Sequence, residues 1–240
     1  MVTEKHVKSF SDFHDIITEH NKNWYNWYYR GESDPNHMLV PKVGRPHFVA
    51  KHITDHQLFE TWCRHAIAYL TAPTEDKWDL LAIAQHHGLA TRLLDWTCNP
   101  MIAAFFAVTL PDNSRAETTE SAIFAHYSTH PFIDPQTHPD PFTIPEGIFR
   151  VSPRSIAPRI MRQGGIFTIH NSPSACLEKN MPQGDRLEKI IINRQYRKQF
   201  TIELSHYGVN KLSLFPDLDG LSRHVNWSYL NLQEQDKEAE

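Results

Sequence analysis

The stretch LLDWTCNPMIAAFFAVTL, residues 93–110, predicts a buried strand that turns directly into a buried helix. Asn99 or Thr97 is placed to cap the helix, and Pro100 falls in the first helical turn, where its missing N–H is tolerated. The small alanine side chains that follow allow this helix to pack closely in the core. The acid, indole and hydroxyl of residues 95–97 therefore stand at a strand-to-helix corner, where we expect them to face a pocket.

The composition of the whole chain is that of an ordinary globular protein, with 240 residues, 40% hydrophobic and 22% charged. A net charge of −4 with neutral histidine argues against a general affinity for nucleic-acid phosphates, although it is compatible with a local basic patch. Three cysteines without a Cys-x-x-Cys pair indicate neither a disulfide framework nor a cysteine zinc site. No apolar run reaches the roughly 18 residues of a membrane helix, and the N-terminus lacks the apolar stretch of a signal peptide. We therefore expect a cytoplasmic protein without a membrane partner.

Hydrophobic periodicity predicts helices and strands in mixed order. Besides the helix of the opening stretch, the predicted helices are 9–20, 54–73, 75–88, 157–163, 194–208 and 215–232. The predicted strands are 23–32, 89–96, 121–127, 166–170 and 187–193. Because the two kinds of element do not alternate regularly, the expected fold is α+β with a small, mostly antiparallel sheet. The chain divides into an N-terminal helix in 1–22, one domain in 23–232 and a charged tail in 233–240.

Residues 128–158 contain seven prolines, which is incompatible with regular structure over the whole stretch. We expect either a long surface loop or a lid. Structureless stretches of this length within a compact domain are often functional.

Three polar segments lie at the ends of apolar elements, and each includes glycine, which permits close backbone approach. They are YRGE (29–32), QHHGLATRLLDWT (85–97) and RQGGIFTIH (162–170). Arg30 offers a planar fork of donors that suits phosphate or carboxylate. Arg92 lies inside an apolar strand and needs a carboxylate there. Asp95 lies on the opposite face of that strand from Arg92, so Arg30 is an alternative partner for the Asp95 carboxylate.

Structural interpretations exist for the same residues. A buried Arg–Asp pair is often scaffold, a histidine at 86 or 87 is favoured by the helix dipole, and Gly164-Gly165 also suits a plain turn. We predict no metal site, because HITDH (52–56) lacks the glutamate of a zinc-protease helix and HYSTH (126–130) runs into proline. The chain has no Gly-x-Ser-x-Gly elbow and no phosphate-cradling glycine-rich motif.

The motifs YRGE, QHHGLATRLLDWTCNPMIAAFFA, GGIFTIH and LSLFPDLDG together resemble the FRG domain family. These are bacterial and phage-associated domains named for a Phe-Arg-Gly motif, which here reads Tyr29-Arg30-Gly31. The resemblance spans roughly residues 23–225. It implies no settled activity, but it makes a toxin or phage-defence effector one expectation.

A more distant likeness is to ADP-ribosyltransferases, which begin with an aromatic-Arg-Gly strand that holds NAD. A second strand ends in Ser-Thr-Ser and runs into a helix ending Ala-x-x-Phe-Ala, to which LDWTCNPMIAAFFA is similar. The likeness implies that Arg30 grips the phosphates or ribose of NAD and that Thr97 orients the nicotinamide. It also implies that Trp96 or Phe167 stacks on a ring of the dinucleotide.

The same likeness supplies the site prediction. The predicted catalytic residues are Arg30, Thr97, Glu188 and His87, and the predicted cofactor-binding residues are Tyr29, Gly31, Asp95, Trp96, Arg92, Phe167 and His170. This chain departs from the pattern in two ways. Asp95-Trp96 replaces small hydroxyl residues, and no Glu-x-Glu or Gln-x-Glu precedes a late strand. Glu188 is the nearest candidate for the missing glutamate, with Glu178 behind it.

Three functions follow from these observations. The first is an enzyme that consumes NAD, either modifying a macromolecular target or depleting the cofactor. The second is a binding or sensing module without catalysis that recognises a nucleotide, a protein or a phage component. The third is a nuclease that uses histidines with Asp95, Asp217 and Asp219. The expected partner is a nucleotide-like small molecule, and the charge disfavours nucleic acid.

Overall fold

The computed structural model describes residues 2–48, 53–70, 74–109, 120–152, 154 and 162–238. Within them the chain forms one seven-stranded sheet in the order β1-β7-β4-β2-β3-β6-β5. The strands are β1 Val2–Val7, β2 Trp27–Glu32, β3 Leu93–Thr97, β4 Ser121–Tyr127, β5 Ile148–Val151, β6 Gly165–His170 and β7 Arg186–Ile192. The β1–β7 pair is parallel and the other five pairs are antiparallel. The expected α+β fold with a mostly antiparallel sheet is confirmed.

Eight α-helices pack around this sheet in the described part of the chain. They are α1 Phe10–His20, α2 Asp55–Ala66, α3 Lys77–His86, α4 Pro100–Val108, α5 Leu177–Asn180, α6 Arg197–His206, α7 Lys211–Leu214 and α8 Leu218–Glu238. Short 3₁₀ helices span Asn21–Asn26, Lys42–Gly44 and Arg194–Tyr196. None of the described helices combines the length and the apolar character that crossing a membrane requires.

The helix starts are fixed by side chains that accept backbone N–H groups left free in the first turn. Thr54 and Gln57 form a reciprocal capping box at the start of α2. Asp76 caps α3 by accepting from the backbone nitrogens of Trp78 and Asp79. At α4 the cap is Asn99, which accepts from Met101 N at 2.9 Å. The strand-to-helix corner therefore forms as the opening stretch predicts.

The helix α4 lies directly on β2, and glycine makes this contact possible. A Cβ atom added at Gly31 would stand 2.0 Å from the backbone oxygen of Ala103 and 2.5 Å from the nitrogen of Ala107. The alanines of α4 and the ring of Phe13 are fully buried on this face of the sheet, together with Ile123 and Ile190. The aromatic-Arg-Gly motif thus ends in glycine because a helix backbone occupies the space of a side chain.

The opposite face of the sheet has its own core, formed by Tyr28, Leu94, Trp96, Phe124 and their neighbours. A third cluster joins α2 and α3 to the β6 edge, where the buried residues include Phe59, Leu81, Phe167 and Ile169. Burial on both faces explains why the central strand β4 is apolar over most of its length.

Several elements differ from the sequence predictions, among them the unpredicted short helices α5 and α7. The strand β1 was not predicted, because five of its six side chains lie at the surface in an edge strand with little apolar alternation. The strand β5 lies inside the proline-rich stretch predicted as one loop, at a run without proline that pairs with β6. Residues 153 and 155–161, which hold the end of that stretch and most of the predicted helix 157–163, lie outside the described residues. The last helix continues to Glu238, through most of the predicted tail.

Candidate functional site

The sheet splits between β2 and β3. In the described chain these two strands are paired only where Tyr29 stands opposite Thr97. By contrast, β2 pairs with β4 along its full length, from Trp27 to Glu32. Because β2 and β3 are antiparallel, the end of β2 and the start of β3 would continue the ladder if they stayed together. They separate instead, and a cleft of about 610 Å³ opens at this point.

The cleft brings together the three polar segments of the sequence. Seven of the predicted site residues line it, namely Tyr29, Arg30, Gly31, Asp95, Trp96, Thr97 and Phe167. The remaining wall supplies aromatic rings at Phe105, Phe106 and Phe215, and cations at Lys211 and Arg223. Its volume lies in the range of cavities that bind small molecules and cofactors.

Arg30 crosses the split and is held at both sides of it. Its Nε donates to Glu32 Oε1 at 2.8 Å, and its Nη1 donates to the backbone oxygen of Asp95 at 2.9 Å. Burial alone would raise the pKa of Glu32, but the charge of Arg30 and the bond to His37 outweigh it and lower that pKa to about 2. The guanidinium is therefore preorganised, with its position set by β2 and β3 together.

Asp95 presents a carboxylate to the cleft. Its side chain is 57% exposed, and its Oδ2 accepts from Gln85 Nε2 at 2.7 Å and lies 3.8 Å from Arg30 Nη1. Thr91 orients the Gln85 amide, because its hydroxyl donates to Gln85 Oε1 at 2.6 Å. Sequence reasoning missed Gln85, although it begins the polar segment 85–97; the adjacent histidine pair was the more conspicuous signal.

The hydroxyl of Thr97 stabilises the strand-to-helix corner at the end of β3. Its hydroxyl donates to the backbone oxygen of Gln163 at 2.6 Å and accepts from Asn99 N at 3.1 Å. Trp96 borders the cleft, but its indole is buried in the core, where Nε1 donates to Thr168 Oγ1 at 3.2 Å. Both side chains therefore form hydrogen bonds within the fold, which hold β3 against β6 and against the turn that precedes β6.

Glu188 lies in a separate cluster and does not line the cleft. Its Oε2 is 3.2 Å from His20 Nε2 and 3.0 Å from Lys5 Nζ. Burial on its own would raise the pKa of Glu188, but the bonds to His20 and Lys5 prevail and lower it to about 2. The cluster reaches the site residue Tyr29 through His20, whose Nδ1 is 2.9 Å from the Tyr29 hydroxyl. Burial, and next the charge of Glu188, raise the pKa of Tyr29.

Arg92 likewise lies outside the cleft and is paired elsewhere. Its Nε and Nη2 donate to the two carboxylate oxygens of Asp55 at 2.7 and 2.9 Å, and its guanidinium stacks on the Phe142 ring at 4.6 Å. The buried arginine of the apolar strand therefore finds its carboxylate at the first residue of α2.

The two predicted histidines are also placed away from the cleft. His170 is fully buried, with Nδ1 donating to Ala175 O at 2.7 Å, and burial lowers its pKa to about 4. His87 is exposed at the end of α3, edge-on to the ring of His86. His86, rather than its neighbour, forms part of the cleft wall.

The late strand that borders the cleft is β6, and it brings no carboxylate. The lining residues at its start are Gln163 and Gly165. Glu178 is engaged with the backbone of Leu39, whose nitrogen is 3.3 Å from both of its carboxylate oxygens. Among the described lining residues, the carboxylates are those of Glu32 and Asp95.

Acidic and histidine side chains elsewhere have structural partners. Asp217 Oδ1 accepts from Gly220 N at 2.7 Å, as expected at the start of a helix, and His126 Nε2 contacts Asp185 Oδ2 at 2.7 Å. Across the described ranges, no group of three or more His, Cys, Asp or Glu residues is arranged to hold a metal ion. His52 of the HITDH motif lies outside those ranges.

Comparison with protein families gives one match, an FRG domain model over residues 25–116. The matched part includes β2, β3 and α4, and with them Arg30, Asp95 and Thr97. Comparisons with curated proteins and with solved structures give no match. The family match thus falls on two walls of the cleft, and residues 25–116 are the part of the chain that is similar to the FRG domain.

Proposed function

We propose that the cleft between β2 and β3 binds NAD and that the protein is an NAD-consuming enzyme of the ADP-ribosyltransferase type. The observation that supports this most directly is the position of Arg30. Its guanidinium bridges the split between the arginine strand and the strand that runs into α4. These are the two strands on which the likeness to ADP-ribosyltransferases rests.

The cleft offers complementary groups for each part of a dinucleotide. Arg30, Lys211 and Arg223 supply positive charge for the pyrophosphate. Phe106 and Phe215 contribute rings that pack edge to face with their centroids 6.3 Å apart, and one of these rings is available for a planar base to stack on.

Asp95 is the carboxylate that we assign to the chemical step. The bond between nicotinamide and ribose C1′ breaks with its electron pair leaving on the nicotinamide, and positive charge develops on the ribose. A carboxylate at the cleft stabilises that charge, and water or a nucleophile of the target then forms the new bond to C1′ and releases its proton to the solvent. Glu188 cannot take this role from its cluster with His20 and Lys5.

The test is nicotinamide release from NAD by the purified protein, measured by chromatography with and without a lysate as the source of targets. We expect the Asp95→Asn variant to lose about 100-fold in rate while it still binds NAD. The matched control is Glu188→Gln, which removes a carboxylate outside the cleft and should keep the rate. Equal losses in the two variants, or no release by the native protein, would refute the enzymatic proposal.

A second candidate function is a module that binds a nucleotide without turnover. The observation that favours it is that polar groups of the cleft already have partners in the fold. The Thr97 hydroxyl both donates and accepts a hydrogen bond, and the Asp95 carboxylate accepts one from Gln85. This function predicts thermal stabilisation by NAD or ADP-ribose without nicotinamide release. A ligand present at about 100 times its Kd adds about 2.7 kcal/mol to the free energy of unfolding.

A further inference from the structure

A second cleft of about 670 Å³ lies beside the first. It is formed by the end of α4, by α6 and α7, and by the side of α8 that carries His224 and Trp227. Phe105, Thr109 and Lys211 line both clefts. The two cavities are therefore adjacent, with these three side chains at their common border.

The second cleft has a one-sided charge. Its ionisable lining residues are Arg194, Arg197, Lys198, Lys211 and His224, and no carboxylate lines it among the residues that the structure describes. The chain as a whole carries a net charge of −4. Glu120 lies close by, but its carboxylate points to Asn193, with 3.4 Å between Oε1 and Nδ2. Cations gathered in a concave site on an acidic protein concentrate the field that attracts anions.

Arg197 and the half-buried His224 form the fixed part of the wall. Arg197 is buried, and its Nη2 donates to the backbone oxygens of Glu120, at 2.8 Å, and of Ser33, which also lines the first cleft. His224 stacks on Trp227, and its Nδ1 is buried without a hydrogen-bond partner in the described part of the chain. A buried polar atom without a partner is costly, and a ligand that bonds to it removes that cost.

We propose that this second cleft is a phosphate-binding site for a nucleotide or nucleic-acid ligand that extends beyond the first cleft. Arginine, lysine and the hydroxyls of Thr201 and Ser205 are the groups that proteins commonly place against phosphate oxygens. The rings of Phe105 and Trp227 provide aromatic surfaces on which a base can stack. The site does not depend on NAD being the ligand of the first cleft.

The probes are inorganic tripolyphosphate and a short fluorescent single-stranded DNA, with binding followed by calorimetry and anisotropy. The informative variant is Arg194→Ala with Lys198→Ala, because both side chains are exposed at the rim and their loss should leave the fold intact. We expect the double variant to bind the probe, tripolyphosphate or DNA, about tenfold more weakly, and we expect its affinity to depend less steeply on salt concentration. The charge-matched control is Lys22→Ala with Lys179→Ala, which removes two exposed cations outside the cleft and should bind as the native protein does.

The two probes distinguish the source of the phosphate. Binding of the DNA that is weakened in the double variant supports a phosphodiester strand, and binding of tripolyphosphate without binding of the DNA supports a free phosphate compound. If neither probe binds, or if the double variant and its charge-matched control bind equally, the proposal is overturned. An Arg30→Lys variant separates the two clefts: it should weaken NAD binding in the first and leave tripolyphosphate binding in the second unchanged.

Discussion

Tyr29 stands opposite Thr97 at the last point in the described chain where β2 and β3 are joined, and the cleft begins there. The hydroxyl of each residue is bonded outside this pair, that of Tyr29 to His20 and that of Thr97 to Gln163. The edge of the cleft is consequently anchored on the β2 side by His20, which does not line it, and on the β3 side by Gln163, which does.

Gly31 gives the first prediction, which concerns the contact between β2 and α4. The Gly31→Ala change places a methyl group against the helix backbone, and we expect it to lower the free energy of unfolding by about 3 kcal/mol. Denaturant titration measures this loss. The control is Gly184→Ala, where nothing lies within 4 Å and only the positive φ of 92° opposes the side chain. We expect about 1 kcal/mol there, and equal losses would contradict the steric argument.

Arg30 gives the second prediction, on ligand binding. In Arg30→Lys a single ammonium replaces the fork that bonds Glu32 and Asp95 O at once, so the positive charge remains but its position is no longer fixed. We expect at least about tenfold weaker NAD binding, measured by thermal shift against concentration. Arg64→Lys on the exposed surface of α2 is the control. Unchanged affinity in Arg30→Lys would show that the guanidinium does not contact the ligand.

The cluster of Glu188 gives a prediction about pH. The pKa of Glu188 is lowered to about 2 in the folded protein, so the unfolded chain takes up a proton first as the pH falls. Its contribution to stability is therefore complete at neutral pH, declines below the ordinary value of 4.5 and vanishes near pH 2. We expect Glu188→Gln to be less stable than the native protein at pH 7, with the difference shrinking toward pH 3. A difference that stays constant over this range would contradict the pairing with His20 and Lys5.

His170 gives a second, distinct pH dependence. Burial lowers its pKa to about 4, whereas an exposed histidine has a pKa of 6.5. Between these values the unfolded chain binds the proton and the folded protein does not, so stability rises with pH from 4 to 6.5 and then levels off. We expect His170→Gln to be less stable at pH 7.5 but to have a smaller slope between pH 4 and 6.5. Melting curves across this interval measure it, and an unchanged slope would count against a neutral buried ring.

The Arg92–Asp55 pair gives a prediction that separates structure from function. Asp55→Asn leaves a buried guanidinium without its carboxylate, and we expect a loss of about 3 kcal/mol in the free energy of unfolding. NAD binding should be retained at temperatures where the variant is folded, because neither residue lines the cleft. Loss of binding without loss of stability would instead place Arg92 in the site.

The local elements could be predicted because local chemistry decides them. The strand 121–127 and the caps at Thr54 and Asn99 follow from apolar runs and from side chains that accept N–H groups. The convergence of Arg30 with residues 95–97 could also be anticipated, because each segment ends an apolar element with polar groups beside glycine or a helix start.

The partners of charged residues could not be predicted from the sequence, because they depend on strand order and on helices distant in the chain. Glu188 lies in β7 directly before its apolar run, where the likeness would put a catalytic glutamate, but β7 lies three places away from β3 in the sheet. Arg92 finds its carboxylate 37 residues earlier, on a helix whose sequence gives no sign of that contact. Edge strands such as β1 are difficult to predict from hydrophobic periodicity, because their exposed side chains need not be apolar.

The order of the strands also has a consequence for how the protein is made. The edge strand β1 has β7 as its neighbour, with Val2 beside Leu187. The first strand of the described sheet in sequence therefore pairs with the last one, which is synthesised much later. On the ribosome, residues 2–7 have no template until residues 186–192 have emerged, and such long-range closure is slow. Completion of the sheet, and with it the docking of Lys5 on Glu188, is therefore expected to be a late event of folding.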